Sequence, residues 1–519
     1  MTLTLVVGGT RSGKSARAEA LAAASGQPVR YVATADATDE SMRARIAEHA
    51  ARRPAGWTTV ELGAEHPSLA RALGGDDATC VLIDGLGPWL GALLHRLDGG
   101  AREAALGDLD AVLAAARAGR EVLVVAEEAG HGLLPPDAVS RAWLDLLGEA
   151  VQRLSAAADR VELVVAGRSV VLGGPVAAGI AALRRHGDVD VRPGDADHAV
   201  NVLAGGPPAW LRAALHEALE RDAGRYPDER AATAALAALH GRAPEEIVPT
   251  NGAAEGLWLL GAALRPALAA CVHPSFTEGE AALRAHGVPV ARILRRAEDG
   301  FALDPAAVPA GADLVLVGNP ASPTGTLDPA SALLALRRPG RVLVVDEAFM
   351  DLVPGEPASL VGEALEDVIV VRSLTKSLGI PGLRAGYAVA QPALAARLRS
   401  VRPPWSANAL ALAALAAAAQ RPEALAAAAE RATAERADLE RGLGTIAGLR
   451  TWPAGANFCL VAVPDGPRVV AALRERGIAV RPAASFPGLG PEHLRLTARG
   501  PAENARLVSA LAEAVAACA

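Results

Sequence analysis

The sequence predicts an α/β protein made of two consecutive units. Three observations predict it. Short uninterrupted apolar runs at residues 3–7, 81–83, 122–125, 161–165, 314–317, 342–345 and 368–371 alternate with longer Ala-, Leu- and Arg-rich stretches. A short run that is apolar at every position reads as a strand buried on both faces of a parallel sheet, and the longer stretches as the helices that cover it. The 519 residues are also too many for one core, since about 150 per domain suggests three or four. Finally, residues 187–208 form the clearest break, with Arg192-Pro193-Gly194-Asp195 and Gly205-Gly206-Pro207-Pro208. The expected units are 1–186 and 187–519.

Composition removes several classes. With 51% apolar residues and no repeating low-complexity segment, the chain is not a disordered tail or a fibre. A net charge of −7 leaves no basic footprint, so nucleic acid is not an expected partner. Cys80, Cys271, Cys459 and Cys518 are scattered with no CxxC pair, which argues against a disulfide framework and a zinc site. The start, Met1-Thr2-Leu3-Thr4-Leu5-Val6-Val7, has no basic segment or cleavage site and does not read as a signal peptide. The longest apolar run, residues 409–419, is mostly alanine and far short of the ~20 residues a membrane span needs. A cytoplasmic location is the expectation. Among the 51 basic residues, only Lys14 and Lys376 are lysines, one in each unit. Arginine is planar and permanently charged, whereas lysine is a compact ammonium that can also act as an amine. A coding bias toward arginine is enough to explain the scarcity; the sharper reading is that these two lysines stayed where arginine could not serve.

In the first unit, the run at 3–7 leads into Gly8-Gly9-Thr10-Arg11-Ser12-Gly13-Lys14-Ser15 and then a helical stretch. Strand, GxxxxGK[ST] and helix in that order form a phosphate loop. Its glycines let backbone N–H groups curl around phosphate oxygens, and the helix start adds positive dipole. Lys14 would reach the β- and γ-phosphates, and Ser15 would hold Mg²⁺. Asp84, at the end of the run 81–83, is the expected second group on the metal side. The expected ligands are GTP or ATP with Mg²⁺.

The loop is joined by Tyr31-Val32-Ala33-Thr34-Ala35, Met42-Arg43-Ala44-Arg45-Ile46-Ala47-Glu48-His49, Arg53-Pro54, Trp57-Thr58-Thr59-Val60-Glu61, Leu82-Ile83-Asp84 and Gln152-Arg153-Leu154. Together these resemble the bifunctional adenosylcobinamide kinase/adenosylcobinamide-phosphate guanylyltransferase family, over residues 1–180 or so. The resemblance implies two reactions in cobalamin assembly. A nucleotide phosphorylates the aminopropanol hydroxyl of adenosylcobinamide, and GTP then donates GMP to that phosphate. It further implies that His49 carries GMP covalently, its imidazole attacking the α-phosphorus as pyrophosphate leaves. Ala33, Thr34, Ala35 and Glu61 match positions that contact the guanine nucleotide. Two segments depart from the family pattern: Asp84-Gly85-Leu86-Gly87-Pro88-Trp89-Leu90-Gly91-Ala92-Leu93-Leu94 has lost a Thr and an Asn, and Glu127-Glu128-Ala129-Gly130 lacks an Asn.

The second unit carries separated motifs in a fixed order. Thr250-Asn251-Gly252-Ala253-Ala254-Glu255 reads as a loop opening a helix, able to bind a phosphate on backbone N–H groups. Asn319-Pro320-Ala321-Ser322-Pro323-Thr324-Gly325 follows one apolar run and Asp346-Glu347-Ala348-Phe349 ends another. Ser373-Leu374-Thr375-Lys376 precedes Gly382-Leu383-Arg384-Ala385-Gly386-Tyr387, and Arg495-Leu496-Thr497 lies near the end. This order resembles fold-type-I pyridoxal-phosphate enzymes, the aspartate-aminotransferase superfamily, over residues 195–515 or so.

That resemblance implies a large α/β domain and a small α+β domain, and it implies roles. Lys376 forms an imine with pyridoxal 5'-phosphate, which arginine cannot do. Asp346 keeps the pyridine nitrogen protonated and Asn319 bonds the ring's 3-oxygen. Ser373 and Arg384 hold the phosphate with the Gly252 and Ala253 amides. Tyr226 matches a tyrosine that reaches the phosphate from a neighbouring subunit, which implies a homodimer. Arg495 matches the arginine that grips the substrate carboxylate, and Asn201 a substrate-side asparagine.

Two relatives within the superfamily compete. Threonine-phosphate decarboxylase is favoured by Ser373-Leu374-Thr375-Lys376 with Ile380-Pro381-Gly382-Leu383-Arg384, and by Phe349 where many aminotransferases place a tyrosine. The alternative is an aminotransferase of the histidinol-phosphate type with a degenerate or regulatory nucleotide-binding first unit. The fusion adds its own logic: aminopropanol phosphate, the decarboxylase product, becomes the arm carried by the first unit's substrates. Adenosylcobinamide, GTP and threonine phosphate are the expected small-molecule substrates.

Overall fold

The structure, a computed structural model, describes residues 2–35, 40–54, 56–62, 67–74, 80–97, 99–129, 135–173, 180, 183–184 and 187–518. The chain divides into two compact units, Met1–Gly179 and Ile180–Ala519.

The first unit is built on a seven-stranded sheet. Its strands are β1 Thr2–Gly8, β2 Val29–Ala33, β3 Thr58–Glu61, β4 Cys80–Asp84, β5 Glu121–Glu127, β6 Arg160–Val165 and β7 Arg168–Gly173. Their order is β3-β2-β4-β5-β1-β6-β7, parallel except for the antiparallel β6–β7 pair. Alternate side chains leave opposite faces of the sheet. Leu3, Leu5, Val7, Val81, Ile83, Val122 and Val124 pack beneath the helices Leu86–Arg96, Ala101–Arg117 and Ala138–Ala157. Val6, Leu82, Leu123 and Val125 pack with Ala18 and Ala22 of the helix Lys14–Ala24 on the other face. Burial on both faces is why these strands read as unbroken apolar runs. Register then brings Ala33 beside both Glu61 and Asp84, and Gly8 beside Glu127, at the carboxyl ends of the strands. That edge is where open α/β sheets bind ligands.

The second unit has two sheets. The larger contains β9 Ile247–Asn251, β10 Ala269–His273, β11 Val290–Leu294, β12 Leu314–Gly318, β13 Val342–Asp346, β14 Val368–Ser373 and β15 Ala385–Ala390, in the order β11-β10-β12-β13-β14-β15-β9. It is parallel from β11 to β14 and antiparallel at β14–β15–β9. Hydrophobic clusters cover both faces. The smaller sheet runs β16-β17-β19-β18-β8, where β8 is Ala196–His198, β16 Arg450–Thr451, β17 Phe458–Ala462, β18 Ile478–Pro482 and β19 His493–Thr497. It packs on the helices Pro422–Leu443, Gly466–Glu475 and Pro501–Ala516. This is the predicted large α/β plus small α+β arrangement.

The Pro- and Gly-rich stretch 187–208 is more than a connection, because it supplies β8, parallel to β18. Only three residues long and two-thirds polar, β8 gave no apolar run to read. The alanine run at 409–419 forms one helix, Ala409–Ala419, whose first turn is capped by the Asn408 side chain accepting from the Ala411 N–H at 2.9 Å. Among the described residues, no helix is long and apolar enough to cross a membrane.

Candidate functional site

In the first unit, the chain turns sharply after β1 into the helix Lys14–Ala24. Gly8 has no room for a side chain: a Cβ there would lie 2.5 Å from Ser12 Oγ and 2.6 Å from the Val164 carbonyl. Gly13, with φ +95°, takes a backbone conformation closed to most residues. Gly9, Thr10, Arg11 and Gly13 are exposed, while Ser12 and Lys14 are buried. Lys14 Nζ folds back onto the Gly9 carbonyl at 3.3 Å. Ser12 Oγ is buried with no hydrogen-bond partner. An orphaned hydroxyl in a glycine-rich turn at a helix N-terminus is what an incoming phosphate would satisfy, so this loop fits a nucleotide.

Ser15 Oγ donates to Asp84 Oδ1 at 2.8 Å. Two ligands at adjacent corners of an octahedral Mg²⁺ lie about 2.9 Å apart, so this oxygen pair fits that ion. The other Asp84 oxygen, Oδ2, accepts from the Tyr31 hydroxyl and lies 3.2 Å from His49 Nδ1 on the helix Glu40–Arg52. Burial alone would raise the Asp84 pKa; the bonds from His49, Tyr31 and Ser15 outweigh it and hold the carboxyl below its ordinary range. The Tyr31 ring is buried under the Arg53 guanidinium, 3.8 Å from its centroid, and tilts against Trp57. Thr34 is buried, and its hydroxyl points to the Asp84 and Gly85 carbonyls, at 2.8 and 2.5 Å. What Thr34 could offer a ligand is therefore backbone. Ala33 and the exposed Glu61 are paired across β2 and β3. Gly130 and the side chains of Met42, Arg45 and Glu48 lie outside the described residues. Tyr31 enters the sequence reading only within a matched segment and with no role of its own, because a tyrosine within a short apolar strand looks like core.

In the second unit, three consecutive parallel strands deliver three site residues. Asn319 follows β12, Asp346 ends β13 and Ser373 ends β14. Asn319 Nδ2 donates to the Asp328 carbonyl at 3.0 Å, and its Oδ1 accepts from the Asp328 N–H at 2.8 Å. These two bonds fix the amide plane and leave one N–H to donate. Asp346 Oδ1 accepts from the Ala348 N–H at 3.1 Å. Burial pushes the Asp346 carboxyl up to about 6, against the opposing pull of the Ala348 N–H and Lys376. A buried carboxylate facing an ammonium suits a protonated ring nitrogen, which would draw that pKa down.

This gives a pH-dependent expectation. Ionising Asp346 opposes folding of the cofactor-free protein, because its folded pKa lies above the ordinary 3.8. The penalty grows as pH rises from about 4 to 6 and is constant above that, at most about 3 kcal/mol. Asp346→Asn keeps an oxygen for the Ala348 N–H. It is expected to raise the thermal midpoint of the cofactor-free protein at pH 8 relative to pH 4, while lowering turnover by about 10²-fold or more. Melting curves at the two pH values check it.

The antiparallel pairs β14–β15–β9 set Ser373 opposite Gly386 and Gly386 opposite Thr250. Gly252, at the start of the helix Gly252–Leu264, has φ +77°, and a Cβ there would sit 2.6 Å from Arg384 Nη2. Only glycine lets that guanidinium lie over the helix N-terminus beside the Ala253 amide. Ser373 Oγ lies 2.7 Å from Thr375 Oγ1. Helix dipole, free N–H groups, two hydroxyls and a guanidinium together fit a phosphate. Lys376 Nζ is 5.9 Å from the centre of the Phe349 ring, which packs edge-on against Phe458. The residues present therefore fit pyridoxal phosphate.

Arg495 is a buried strand residue of β19, not a surface cation. It donates to Ser322 Oγ at 3.1 Å and to the Ala199 carbonyl at 2.5 Å, and its Nε has no hydrogen-bond partner. Burial and then the charge of Arg481 pull it down to about 9. Arg481 is its cross-strand neighbour on β18 and is also buried. Gly187 closes on the pair: a Cβ there would lie 3.4 Å from both Arg481 Cδ and Arg495 Nη2. Neither Arg481 nor Gly187 stands out in the sequence. Asn201 is buried just beyond β8. Tyr226 is 77% exposed and stacks on Trp405, itself 58% exposed, with ring centres 4.4 Å apart. Clefts of about 440 and 550 Å³ flank this pair, lined by Pro227, Asp228, Arg402 and Ala409 among others.

Comparison with known proteins follows the same division. Residues 4–172 match the family model described as cobinamide kinase / cobinamide phosphate guanyltransferase, and residues 197–511 match aminotransferase class I and II. A histidinol-phosphate aminotransferase of Mycobacterium tuberculosis is 46% identical over 342 residues, which is 64% of this chain and 91% of that one. A threonine-phosphate decarboxylase of Salmonella typhimurium is 32% identical over 329 residues, 61% and 90% of the two chains. The bifunctional adenosylcobalamin biosynthesis protein CobP of Pseudomonas aeruginosa is 43% identical over 180 residues, 33% of this chain and 96% of that one. In fold, a crystal structure of a histidinol-phosphate aminotransferase from Clostridium acetobutylicum superposes with a TM-score of 0.58 at 23% identity, covering 62% of this chain and 99% of that one.

Proposed function

We propose that this chain, which belongs to the cobinamide kinase / cobinamide phosphate guanyltransferase family over residues 4–172 and to the class I and II aminotransferases over residues 197–511, is a multifunctional enzyme of cobalamin nucleotide-loop assembly. The first unit phosphorylates adenosylcobinamide and transfers GMP from GTP to the product. The second removes CO₂ from L-threonine O-3-phosphate, with pyridoxal phosphate, to give aminopropanol phosphate. The observation that carries this reading is the union of the two families in one chain, because their reactions meet on the same aminopropanol phosphate arm.

In the first unit, the loop amides and Lys14 would hold the nucleotide phosphates, with Ser12 Oγ turned to the same ligand. Ser15 and Asp84 would hold Mg²⁺ on the far side. His49 would accept the guanylyl group, which divides one difficult displacement into two easier ones. In the second unit, bound pyridoxal phosphate supplies an electron sink for the substrate's α-carbon. Lys376 supplies the amine that anchors the cofactor and a proton for the α-carbon once CO₂ has left. Asp346 holds the proton on the ring nitrogen, and Asn319 donates its remaining N–H to the ring's 3-oxygen. Ser373, Arg384 and the Gly252 and Ala253 amides bind the cofactor phosphate. The adjacent Arg495 and Arg481 suit a substrate with two anionic groups. Threonine phosphate carries a carboxylate and a phosphate, whereas histidinol phosphate carries only the phosphate. The exposed Tyr226–Trp405 pair supports a homodimer in which Tyr226 serves the partner's site. Its hydrophobic rings are of the kind that interfaces bury.

A second reading has an observation of its own. The Mycobacterium tuberculosis relative named histidinol-phosphate aminotransferase is 46% identical, against 32% for the Salmonella typhimurium threonine-phosphate decarboxylase. The two readings separate on one substrate. Threonine phosphate given to the holoenzyme should release CO₂, with no glutamate formed when 2-oxoglutarate is added. Glutamate without CO₂ establishes the aminotransferase and removes the decarboxylase.

A further inference from the structure

We infer that Asp84, held in place by Tyr31, is a positioning residue that makes Nε2 of His49 the nitrogen that accepts the nucleotide. This rests on the reading of His49 as the guanylyl carrier. An imidazole has two nitrogens, and in the neutral ring one bears the proton while the other bears the lone pair. Here Nδ1 lies 3.2 Å from Asp84 Oδ2. A carboxylate only accepts hydrogen bonds, so the contact requires the proton on Nδ1 and leaves the lone pair on Nε2.

The carboxylate itself is not free to turn. Ser15 Oγ occupies Oδ1 at 2.8 Å, and the Tyr31 hydroxyl occupies Oδ2 beside His49. Tyr31 is buried within β2 and roofed by the Arg53 guanidinium, so its hydroxyl is fixed by the strand that carries it. One carboxylate thus links the phosphate loop to the nucleophile. Loop geometry and ring orientation are set together.

The step balances. The Nε2 lone pair forms a bond to the α-phosphorus of GTP. The bond from that phosphorus to the bridging oxygen breaks, and its electron pair leaves with pyrophosphate. The ring is then cationic, and the proton stays on Nδ1, hydrogen-bonded to Asp84 Oδ2. In the second step an oxygen of the cobinamide phosphate attacks the same phosphorus, and the N–P electron pair returns to Nε2.

The test uses the full-length protein labelled with ¹⁵N-histidine, with His49→Gln identifying the His49 signals. In NMR spectra recorded without nucleotide, Nδ1 is expected to carry the proton and Nε2 the lone pair. After incubation with GTP and Mg²⁺, the phosphorus is expected to couple to Nε2. Asp84→Asn is expected to raise the share of the opposite tautomer, as a carboxamide can donate to Nδ1. Tyr31→Phe is expected to slow guanylylation about 10-fold or more, at an unchanged GTP concentration for half-maximal rate. Phosphorus on Nδ1, or a bare Nδ1 in the unmodified protein, overturns the inference. So does Tyr31→Phe labelling at the full rate. Wild-type protein that takes no label at all overturns the carrier reading instead, while the tautomer still tests the orientation by itself.

Discussion

Lys376→Arg is expected to lose decarboxylation by about 10⁴-fold or more and to lose borohydride-stable attachment of the cofactor altogether. The reason is chemical rather than electrostatic. Arginine preserves the charge beside Asp346, but its guanidinium is not a usable amine nucleophile. The loop that holds residue 376 is otherwise well supported. The Leu203 N–H donates to the Lys376 carbonyl at 3.0 Å, and Ser377 Oγ donates to Asp351 Oδ2 at 3.2 Å. Melting temperature should therefore change little while activity disappears. Guanylylation of the first unit by GTP labelled in its α-phosphate should continue at the parent rate. Cofactor that remains trappable by borohydride in the variant would refute the assignment of Lys376.

The second large effect belongs to the other lysine. Lys14→Arg is expected to lower kinase and guanylylation rates about 10²- to 10³-fold, the usual cost of removing a placed charge from a phosphoryl transition state. Lys14 is buried, and its ammonium already sits 3.3 Å from the Gly9 carbonyl. A longer planar group cannot enter that turn without opening it. Decarboxylation should be spared. His49→Ala separates the two activities of this unit, because it should remove the covalent label while leaving phosphorylation of cobinamide measurable. A label that persists in His49→Ala defeats the guanylyl-histidine.

Much of the architecture could be read from the chain. Strands buried on both faces wrote themselves as unbroken apolar runs, and the phosphate loop and the Ser373–Lys376 segment carry their chemistry in adjacent residues. What could not be read depends on register. Tyr31 becomes a hydrogen-bond partner of Asp84 only because β2 lies parallel to β4, with Tyr31 opposite Leu82. Arg481 is one basic residue among many until β18 and β19 place it across from Arg495. Strand β8 is too short and too polar to leave a periodic trace. Pairing between segments far apart in sequence creates these features, and no local pattern records it.

The scarcity of lysine has a practical consequence. Acylating reagents, aldehydes and isothiocyanates act on amines, and this chain's sequence holds just two lysine ε-amines. One is buried beneath the phosphate loop and the other is only half-buried. Such reagents, which modify most proteins at random across their surface, would act here as site-directed probes. Protection by nucleotide would report on one amine and protection by pyridoxal phosphate on the other, so a single unaltered protein gives a separate readout of occupancy at each site.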